Sequence, residues 1–350
     1  MSELKPLIYD CDREAIKALL AAWKQPAFRV NQIWEGLYRN LKKAPSEWSN
    51  LPSSLKSILA EKVEFTGLIP IDRLQSSDGQ TVKTLFSTRD GKSVEAVLMK
   101  YDERRTLCIS TQAGCAMGCV FCATGQMGFS RNLTSGEIVE QVLFYARLLA
   151  EENDHVTNIV VMGMGEPFQN YDNTLEAVDR LNDPRGFNLG ARRFTISTVG
   201  LVPRIRQFAS EKRQINLAVS LHAANDELRS KLLPINTKYP LSELIPACRD
   251  YVEETGRRIT FEWALIQDVN DRLQDAKELA ELIRGMICHV NVIPLNPTHD
   301  YSGRATTLER AQEFAAELNN TGIPCTIRLR RGIDIQAGCG QLAGKHKQKF

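Results

Sequence analysis

The chain has 350 residues, of which 43% are hydrophobic and 25% charged, enough apolar sequence for one large domain and a small one. Its net charge of +2 is too small to indicate nucleic-acid binding by itself. We find no charged start followed by an apolar signal core, and no apolar run of the roughly 18 residues that span a bilayer. Nine cysteines, an odd number, favour a reducing compartment over a disulfide framework. We therefore expect a cytoplasmic protein without a membrane partner.

The first part of the chain, residues 1–66, is predicted to form a small helical domain. Ile16, Leu19, Leu20 and Trp23 recur at three- and four-residue intervals, which is typical of an amphipathic helix. Four basic side chains give this region a positive side that could contact RNA: Arg29, Arg39, Lys42 and Lys43. On charge alone, a solvated helix face is the better explanation.

Residues 67–100 are predicted to form a β-rich connection. Alternating runs at 83–87 and 94–98 are preceded by Asp78-Gly79 and Asp90-Gly91, and an Asp-Gly pair accepts the positive φ angles of a tight hairpin turn. We expect β-hairpins here.

Residues 101–334 alternate between β-branched runs and amphipathic helical segments, which indicates parallel strands joined by crossover helices. Six strand-like runs predict an α/β fold built on a partial (β/α)6 barrel: 106–110, 158–162, 193–197, 216–221, 259–265 and 289–294. A further run at 325–329 could add a strand. Residues 335–350 are left as a C-terminal segment.

Three cysteines lie within eight residues, at Cys115, Cys119 and Cys122. This spacing lets three thiolates meet at one inorganic centre. A structural zinc site would need a fourth ligand, such as Cys108 or a distant cysteine. A [4Fe-4S] cluster held by three cysteines would instead leave one iron open to a ligand. Both alternatives remain at this point.

Glycines and polar residues follow the ends of several predicted strands, at 163–167, 197–200, 220–222 and 294–297. In a parallel barrel the carboxyl ends of the strands meet at one rim, where the chemistry takes place. We expect these segments to line the same site as the cysteines.

The spacing Cys115-x3-Cys119-x2-Cys122, with Phe121 before the last cysteine, resembles the radical S-adenosylmethionine (SAM) enzymes. The run 163–167, Gly-Met-Gly-Glu-Pro, is similar to their Gly-Gly-Glu-Pro element, whose backbone receives the SAM amino group. The resemblance implies a [4Fe-4S] cluster on the three cysteines, a SAM molecule bound to its open iron, and a 5′-deoxyadenosyl radical as the product of SAM cleavage.

Further motifs resemble the RlmN/Cfr family of RNA methyltransferases, over almost the whole chain: 106–108, 163–167, 220–222, 331–334 and 339–342. In that family Cys339 would receive a methyl group from one SAM, and a second SAM would generate the radical that transfers the carbon to adenine. The resemblance gives Cys108 a transient disulfide with Cys339 and makes Glu95 the proton acceptor. By themselves, Cys108 is typical of a core residue and Glu95 of a solvated hairpin charge.

The same resemblance implies a set of SAM contacts: Gly165, Glu166, Ser197, Ser220, Leu221, His222 and Asn296. It also implies 23S ribosomal RNA and transfer RNA as substrates, methylated at adenosine C2, and an electron donor such as flavodoxin or ferredoxin. Arg328, Arg330 and Arg331 precede Cys339 and are expected to contact phosphates. Methylation at C8, as in the Cfr branch, is the nearest alternative, and a zinc-stabilised RNA-binding protein without catalysis is a more distant one. Where family members often have alanine, Gly338 is expected to loosen the segment.

Overall fold

The structure is a computed structural model that describes residues 5–328 and 330–344. Its α-helices are α1 Arg13–Ala22, α2 Arg29–Tyr38, α3 Ser53–Lys62, α4 Ala123–Gln126, α5 Ser135–Glu151, α6 Tyr171–Asn182, α7 Val202–Ser210, α8 Asp226–Leu232, α9 Leu241–Thr255, α10 Leu273–Leu282 and α11 Leu308–Asn320. Its strands are β1 Leu68–Gln75, β2 Thr81–Thr88, β3 Ser93–Lys100, β4 Arg105–Cys108, β5 Gln112–Gly114, β6 Phe129–Asn132, β7 Asn158–Val161, β8 Phe194–Thr198, β9 Asn216–Ser220, β10 Ile259–Leu265, β11 Cys288–Pro294 and β12 Cys325–Ile327.

Ten strands form one mixed sheet in the order β1-β2-β3-β4-β7-β8-β9-β10-β11-β12. The pairs from β4-β7 through to β11-β12 are parallel, and the three pairs at the other end, β1-β2, β2-β3 and β3-β4, are antiparallel. The six predicted strands are all present, and the run at 325–329 supplies a seventh parallel strand, β12, although Leu329 lies outside the described residues. The predicted α/β partial barrel is therefore confirmed.

The hairpin region holds three strands, whereas the alternating runs indicated two. Strand β1 was not singled out because its sequence, LIPIDRLQ, is mostly exposed and shows no buried alternation. It lies at the edge of the sheet, and its register shifts between Pro70 and Asp72. Proline lacks an N–H for a ladder hydrogen bond, so an edge position with a bulge is where it is tolerated.

The segment after β12 returns to the other end of the sheet. Arg331 donates to the Lys100 carbonyl at 3.3 Å, and its guanidinium lies 4.3 Å from the ring centre of Tyr101. Ser77 N–H donates to the Asp334 carboxylate at 2.8 Å. These contacts hold the C-terminal segment against the antiparallel strands. The Arg331 side chain therefore bonds to other parts of the protein, whereas Arg328 and Arg330 are exposed to solvent.

One apolar core joins the sheet, the barrel helices and α1 to α3. Helix α5 shows how local sequence supports it: Thr134 accepts from the Glu137 N–H and Glu137 accepts from the Thr134 N–H, a capping box that fixes the start of the helix. On the same helix, Gln141 exchanges two hydrogen bonds with the Ser110 backbone after β4, which aligns the first barrel strand. Among the described residues, no helix has the length and apolar character needed to cross a membrane.

A buried carboxylate on α5 predicts a pH-dependent stability. Glu140 accepts a hydrogen bond from Gly67 N–H at 2.7 Å, and burial raises the pKa of Glu140 to about 8. A carboxyl pKa above its unfolded value stabilises the fold at low pH, and this stabilisation is lost as the pH rises toward 8. We expect Glu140→Gln to melt near the parent temperature at pH 5 and several degrees above it at pH 8. The exposed Glu151→Gln is the matched control, and parallel pH profiles of parent and Glu140→Gln would contradict this prediction.

Candidate active site

The cysteine loop is held at its base by a short hairpin that the sequence did not reveal. Strands β5 and β6 pair antiparallel, and Cys115 N–H donates to the Gly128 carbonyl at 2.9 Å. Gly114 has φ +77°, and a Cβ there would lie 2.0 Å from the same carbonyl oxygen, so only glycine fits. The loop therefore leaves the end of the first barrel strand with a defined geometry.

The three thiols lie close enough to interact electrostatically. Burial is the largest cause that raises the pKa of Cys115 to about 12, and it raises the pKa of Cys119 as well; in both cases Cys122 adds to the rise. A metal or cluster would favour the thiolate forms. Within residues 5–328 and 330–344, no three His, Cys, Asp or Glu side chains are arranged around a point suited to a single metal ion.

The fourth barrel strand packs against the cysteine loop through an aromatic contact. The rings of Phe121 and His222 meet edge to face with centroids 4.9 Å apart. His222 has φ 59° and its Nδ1 accepts from Ala264 N–H at 2.8 Å, so the neutral ring carries its proton on Nε2. Burial, with the nearby Arg229 cation, lowers the pKa of His222 to about 3. The ring is thus a neutral hydrogen-bond donor at physiological pH.

The glycine-rich run after β7 lies against β5. A Cβ at Gly165, whose φ is +102°, would lie 2.5 Å from the Gln112 Cβ. Gln112 also accepts from Glu166 N–H at 2.8 Å. The buried Glu166 carboxylate accepts from Val199 N–H and Phe168 N–H, at 2.8 and 2.9 Å. Glu166 therefore fixes the loop after β8, while burial raises its pKa to about 7.

The structure brings the residues expected to contact SAM to one rim. Gly165 and Glu166 follow β7, and Ser197 lies in β8. Ser220 ends β9 and is followed by Leu221 and His222, and Asn296 follows β11. Asn296 donates to the Cys339 carbonyl at 3.0 Å, but its buried Oδ1 has no hydrogen-bond partner. A buried oxygen in this state favours a polar ligand with a donor group. The donors, acceptors and thiols at this rim fit a SAM molecule bound to an iron-sulfur cluster.

Arg229 is a buried cation behind this rim that the sequence did not single out. Its guanidinium donates to the carbonyls of Val199 at 2.8 Å and Leu221 at 3.2 Å, and to Asn236 Oδ1 at 2.7 Å. It therefore joins the ends of β8 and β9. The only sequence signal was an arginine in the helical run after Ser220–His222, and its carbonyl partners could not be inferred from that run.

Replacing Arg229 by methionine is expected to weaken SAM binding more than tenfold and to lower the free energy of unfolding by about 3 kcal/mol, because buried carbonyls lose their partners. Equilibrium dialysis with SAM and urea denaturation measure the two effects. Arg206→Met, which removes an exposed arginine with a 3.6 Å surface ion pair, is the control. SAM affinity equal to that of the control would show that Arg229 does not shape the rim.

The segment that carries Cys339 is tied to the cysteine loop. Ala123 N–H donates to the Gly340 carbonyl at 2.8 Å, and the Thr124 hydroxyl donates to the Leu342 carbonyl at 2.7 Å. A Cβ at Gly338 would lie 2.7 Å from Asn296 Nδ2, so this glycine is closely packed. The neighbouring amide occupies the space of a side chain, and the expectation that Gly338 loosens the segment stays a prediction.

Cys339 and Cys108 are free thiols, and they are near enough to influence each other electrostatically. Burial raises the pKa of Cys108 to about 12, and the neighbouring Cys339 thiol adds to the rise. Cys339 has accessible surface, but protein atoms surround its thiol; this desolvation raises its pKa to about 12, with further contributions from Glu262 and Cys122. Sequence reasoning missed Glu262, although a charge inside the apolar run of β10 was a usable signal.

Glu95 lies in β3 and is buried, not solvated as the isolated hairpin pattern suggested. Its Oε2 accepts from the N–H groups of Ala343 and Gly344, at 2.8 and 3.1 Å. The residue implied as proton acceptor is therefore in direct contact with the chain that follows Cys339.

The sequence profile of the Radical SAM superfamily matches residues 109–283. A probable dual-specificity RNA methyltransferase RlmN of Chloroflexus aurantiacus is 48% identical over 97% of this chain and 93% of its own length. The dual-specificity RNA methyltransferase RlmN 1 of Myxococcus xanthus is 49% identical, covering 97% and 95%. The crystal structure of a radical SAM methyltransferase from Sphaerobacter thermophilus is 50% identical, with a TM-score of 0.95 over 97% of this chain and 100% of that one.

Proposed function

Because the chain belongs to the RlmN family of radical SAM RNA methyltransferases, we propose that it methylates C2 of adenosine in two RNAs. These are 23S ribosomal RNA, at the peptidyl transferase centre, and transfer RNA, at the adenosine 3′ of the anticodon. The observation that carries the proposal is the position of Cys339 on a segment bonded to the cysteine loop, where its thiol interacts electrostatically with those of Cys108 and Cys122.

In this proposal Cys115, Cys119 and Cys122 hold a [4Fe-4S] cluster. SAM would bind at the rim formed by Gly165, Glu166, Ser197, Ser220, Leu221, His222 and Asn296. When bound, the cluster and SAM supply the one-electron chemistry that removes a hydrogen atom from a methyl group. The unpartnered Asn296 Oδ1 and the Nε2–H of His222 supply an acceptor and a donor for the cofactor. Two SAM molecules are used per turnover, one as methyl donor and one as radical source.

Three residues of the chain carry out the transfer. Cys339 takes a methyl group from SAM as a thioether and carries the carbon to adenine C2. Glu95 would accept the proton that leaves C2, and the one electron that remains on the adduct would return to the bound cluster. Cys108 then attacks the Cys339 sulfur: a disulfide bond forms, the bond from sulfur to the transferred carbon breaks, and its electron pair leaves with that carbon, which is protonated to a methyl group. A thiol reductant restores the two cysteines.

The remaining partners follow from this chemistry. The cluster would need an electron donor such as flavodoxin or ferredoxin, and a protein that acts on ribosomal and transfer RNA would work in the cytoplasm. Arg328, exposed on the chain leading to Cys339, would meet a phosphate, and the adenine must leave its stack to reach the thiols. The helical domain at 1–66 would hold the folded RNA.

The test is mass spectrometry of nucleosides from ribosomal and transfer RNA incubated with cluster-loaded protein, SAM and reductant. Synthetic 2-methyladenosine and 8-methyladenosine serve as standards. A 2-methyl product in both RNAs supports the proposal. An 8-methyl product assigns the protein to the Cfr-like alternative, and no methyladenosine from a protein with an intact cluster refutes the substrate assignment. Iron and sulfide analysis separates these outcomes from the zinc alternative.

A further inference from the structure

Lys83 is a buried lysine in the middle of β2, next to the active site. In the β2–β3 ladder it lies opposite Val97, while Glu95 lies opposite Leu85, so Lys83 and Glu95 are diagonal neighbours on one face of the sheet. Their side chains are 8% and 1% exposed, and Nζ lies 2.8 Å from Oε1. A lysine is rarely buried to this extent without a specific partner, so this ion pair requires an explanation.

The ion pair contacts the chain on both sides of Cys339. Lys83 Nζ also donates to the Gln336 carbonyl at 3.2 Å, three residues before Cys339. Glu95 Oε2 accepts from Ala343 and Gly344, which follow Cys339. Residues 336–344 are called the Cys339 segment here. Both oxygens of the Glu95 carboxylate hold this segment: Oε2 bonds to it directly, and Oε1 holds it through Lys83.

We infer that the Lys83–Glu95 ion pair anchors the Cys339 segment and that a proton arriving on Glu95 releases it. The inference rests on the proposed role of Glu95 as proton acceptor. As the carboxylate takes the proton from adenine C2, it loses its charge. Its hydrogen bonds to Ala343 and Gly344 are then no longer charge-assisted, and Lys83 no longer faces an opposite charge. Lys83 keeps its own proton, and no electrons move in this step.

The timing of this release matches the chemistry that follows. Once the proton has left the adenine, Cys339 must turn its sulfur toward Cys108, and a freed segment permits that movement. A cavity of about 10 Å³ adjoins the pair, lined by Asp72, Leu74, Lys83, Leu85 and Glu95. It has room for about one water, which can take the proton from Glu95 and restore the anchor. Lys83 is thus a positioning residue for both Glu95 and the Cys339 segment.

The first experiment needs no RNA and no turnover. Hydrogen exchange of the amides of residues 336–344 is measured by mass spectrometry in cluster-loaded protein. Glu95→Gln mimics the protonated acid, and Lys83→Met removes the cation. We expect both to exchange faster in this segment, by about tenfold for Lys83→Met, because a buried charge-assisted contact is lost.

Two further variants separate positioning from general damage. Lys83→Arg keeps the cation and is expected to retain the slow exchange of the parent protein. Lys92→Met removes an exposed lysine in the turn between β2 and β3 and is expected to exchange like the parent. Thermal melting reports whether each variant is folded. If folded Glu95→Gln and Lys83→Met exchange at the parent rate in residues 336–344, the inference is overturned.

The second experiment tests the step in which the anchor acts. Lys83→Met is expected to receive the methyl group on Cys339 normally, as intact-protein mass shows, but to transfer it to RNA at least tenfold more slowly, with rescue by Lys83→Arg. Equal loss of both steps, or no loss of either, contradicts the positioning role. If the parent protein methylates no RNA while the exchange results hold, the proposed function fails and the anchor remains.

Discussion

Replacing Cys339 by alanine abolishes methyl transfer to RNA and leaves the protein folded, with its cluster and SAM site intact. The thiol is the only group removed, and it accepts the methyl group that the reaction delivers. The neighbouring contacts use backbone atoms of the segment: Asn296 bonds to the Cys339 carbonyl, and Ala123 to the Gly340 carbonyl. Those contacts survive the substitution. The rate falls by at least a thousandfold, because no other group carries the carbon.

The measurement is methyladenosine formed per protein, alongside iron content and SAM binding by equilibrium dialysis. Cys325→Ala is the matched control, since it removes a half-buried free thiol from β12. We expect the control to retain parental activity. Methylated RNA from Cys339→Ala would show that the carbon passes directly from SAM to adenine.

Replacing Cys108 by alanine stops the reaction one step later, with the protein covalently joined to RNA. Cys339 still receives and transfers the carbon, but the thiol that breaks its bond to that carbon is missing. Cys108 ends β4 and pairs with Val97 and Val160 across the sheet, so alanine leaves the strand in place. The loss of one buried sulfur costs about 1 kcal/mol of stability, which an intact fold tolerates.

Denaturing gel electrophoresis with labelled RNA detects the joined species. We expect it to reach nearly one RNA per active protein in Cys108→Ala, and only traces of it in the parent. Cys248→Ala, at a buried cysteine on α9, controls for the loss of a buried thiol. Free methylated RNA and no joined species would remove Cys108 from the mechanism.

Much of the site follows from local patterns. The spacing of Cys115, Cys119 and Cys122 indicates an inorganic centre whatever the surrounding fold, because the chain itself brings the three thiols together. The alternation of strands and helices then places Ser220–His222 and Asn296 at one rim, since parallel strands end on the same side of a barrel. Composition and spacing left the roles of Glu95, Cys108 and Cys339 open, and their pairing came from family resemblance alone.

What the sequence by itself determined was the barrel and the cysteine loop, because periodicity and close spacing are properties of neighbouring residues. Only the tertiary structure decided which charges are buried and what they contact. Lys83 is an ordinary strand lysine in sequence, and Arg229 an ordinary helix arginine, until the fold places the first beside Glu95 and the second behind Val199 and Leu221. A buried charge is stabilised by partners far away in the chain, so its role follows from the packing of the sheet and is absent from the local pattern.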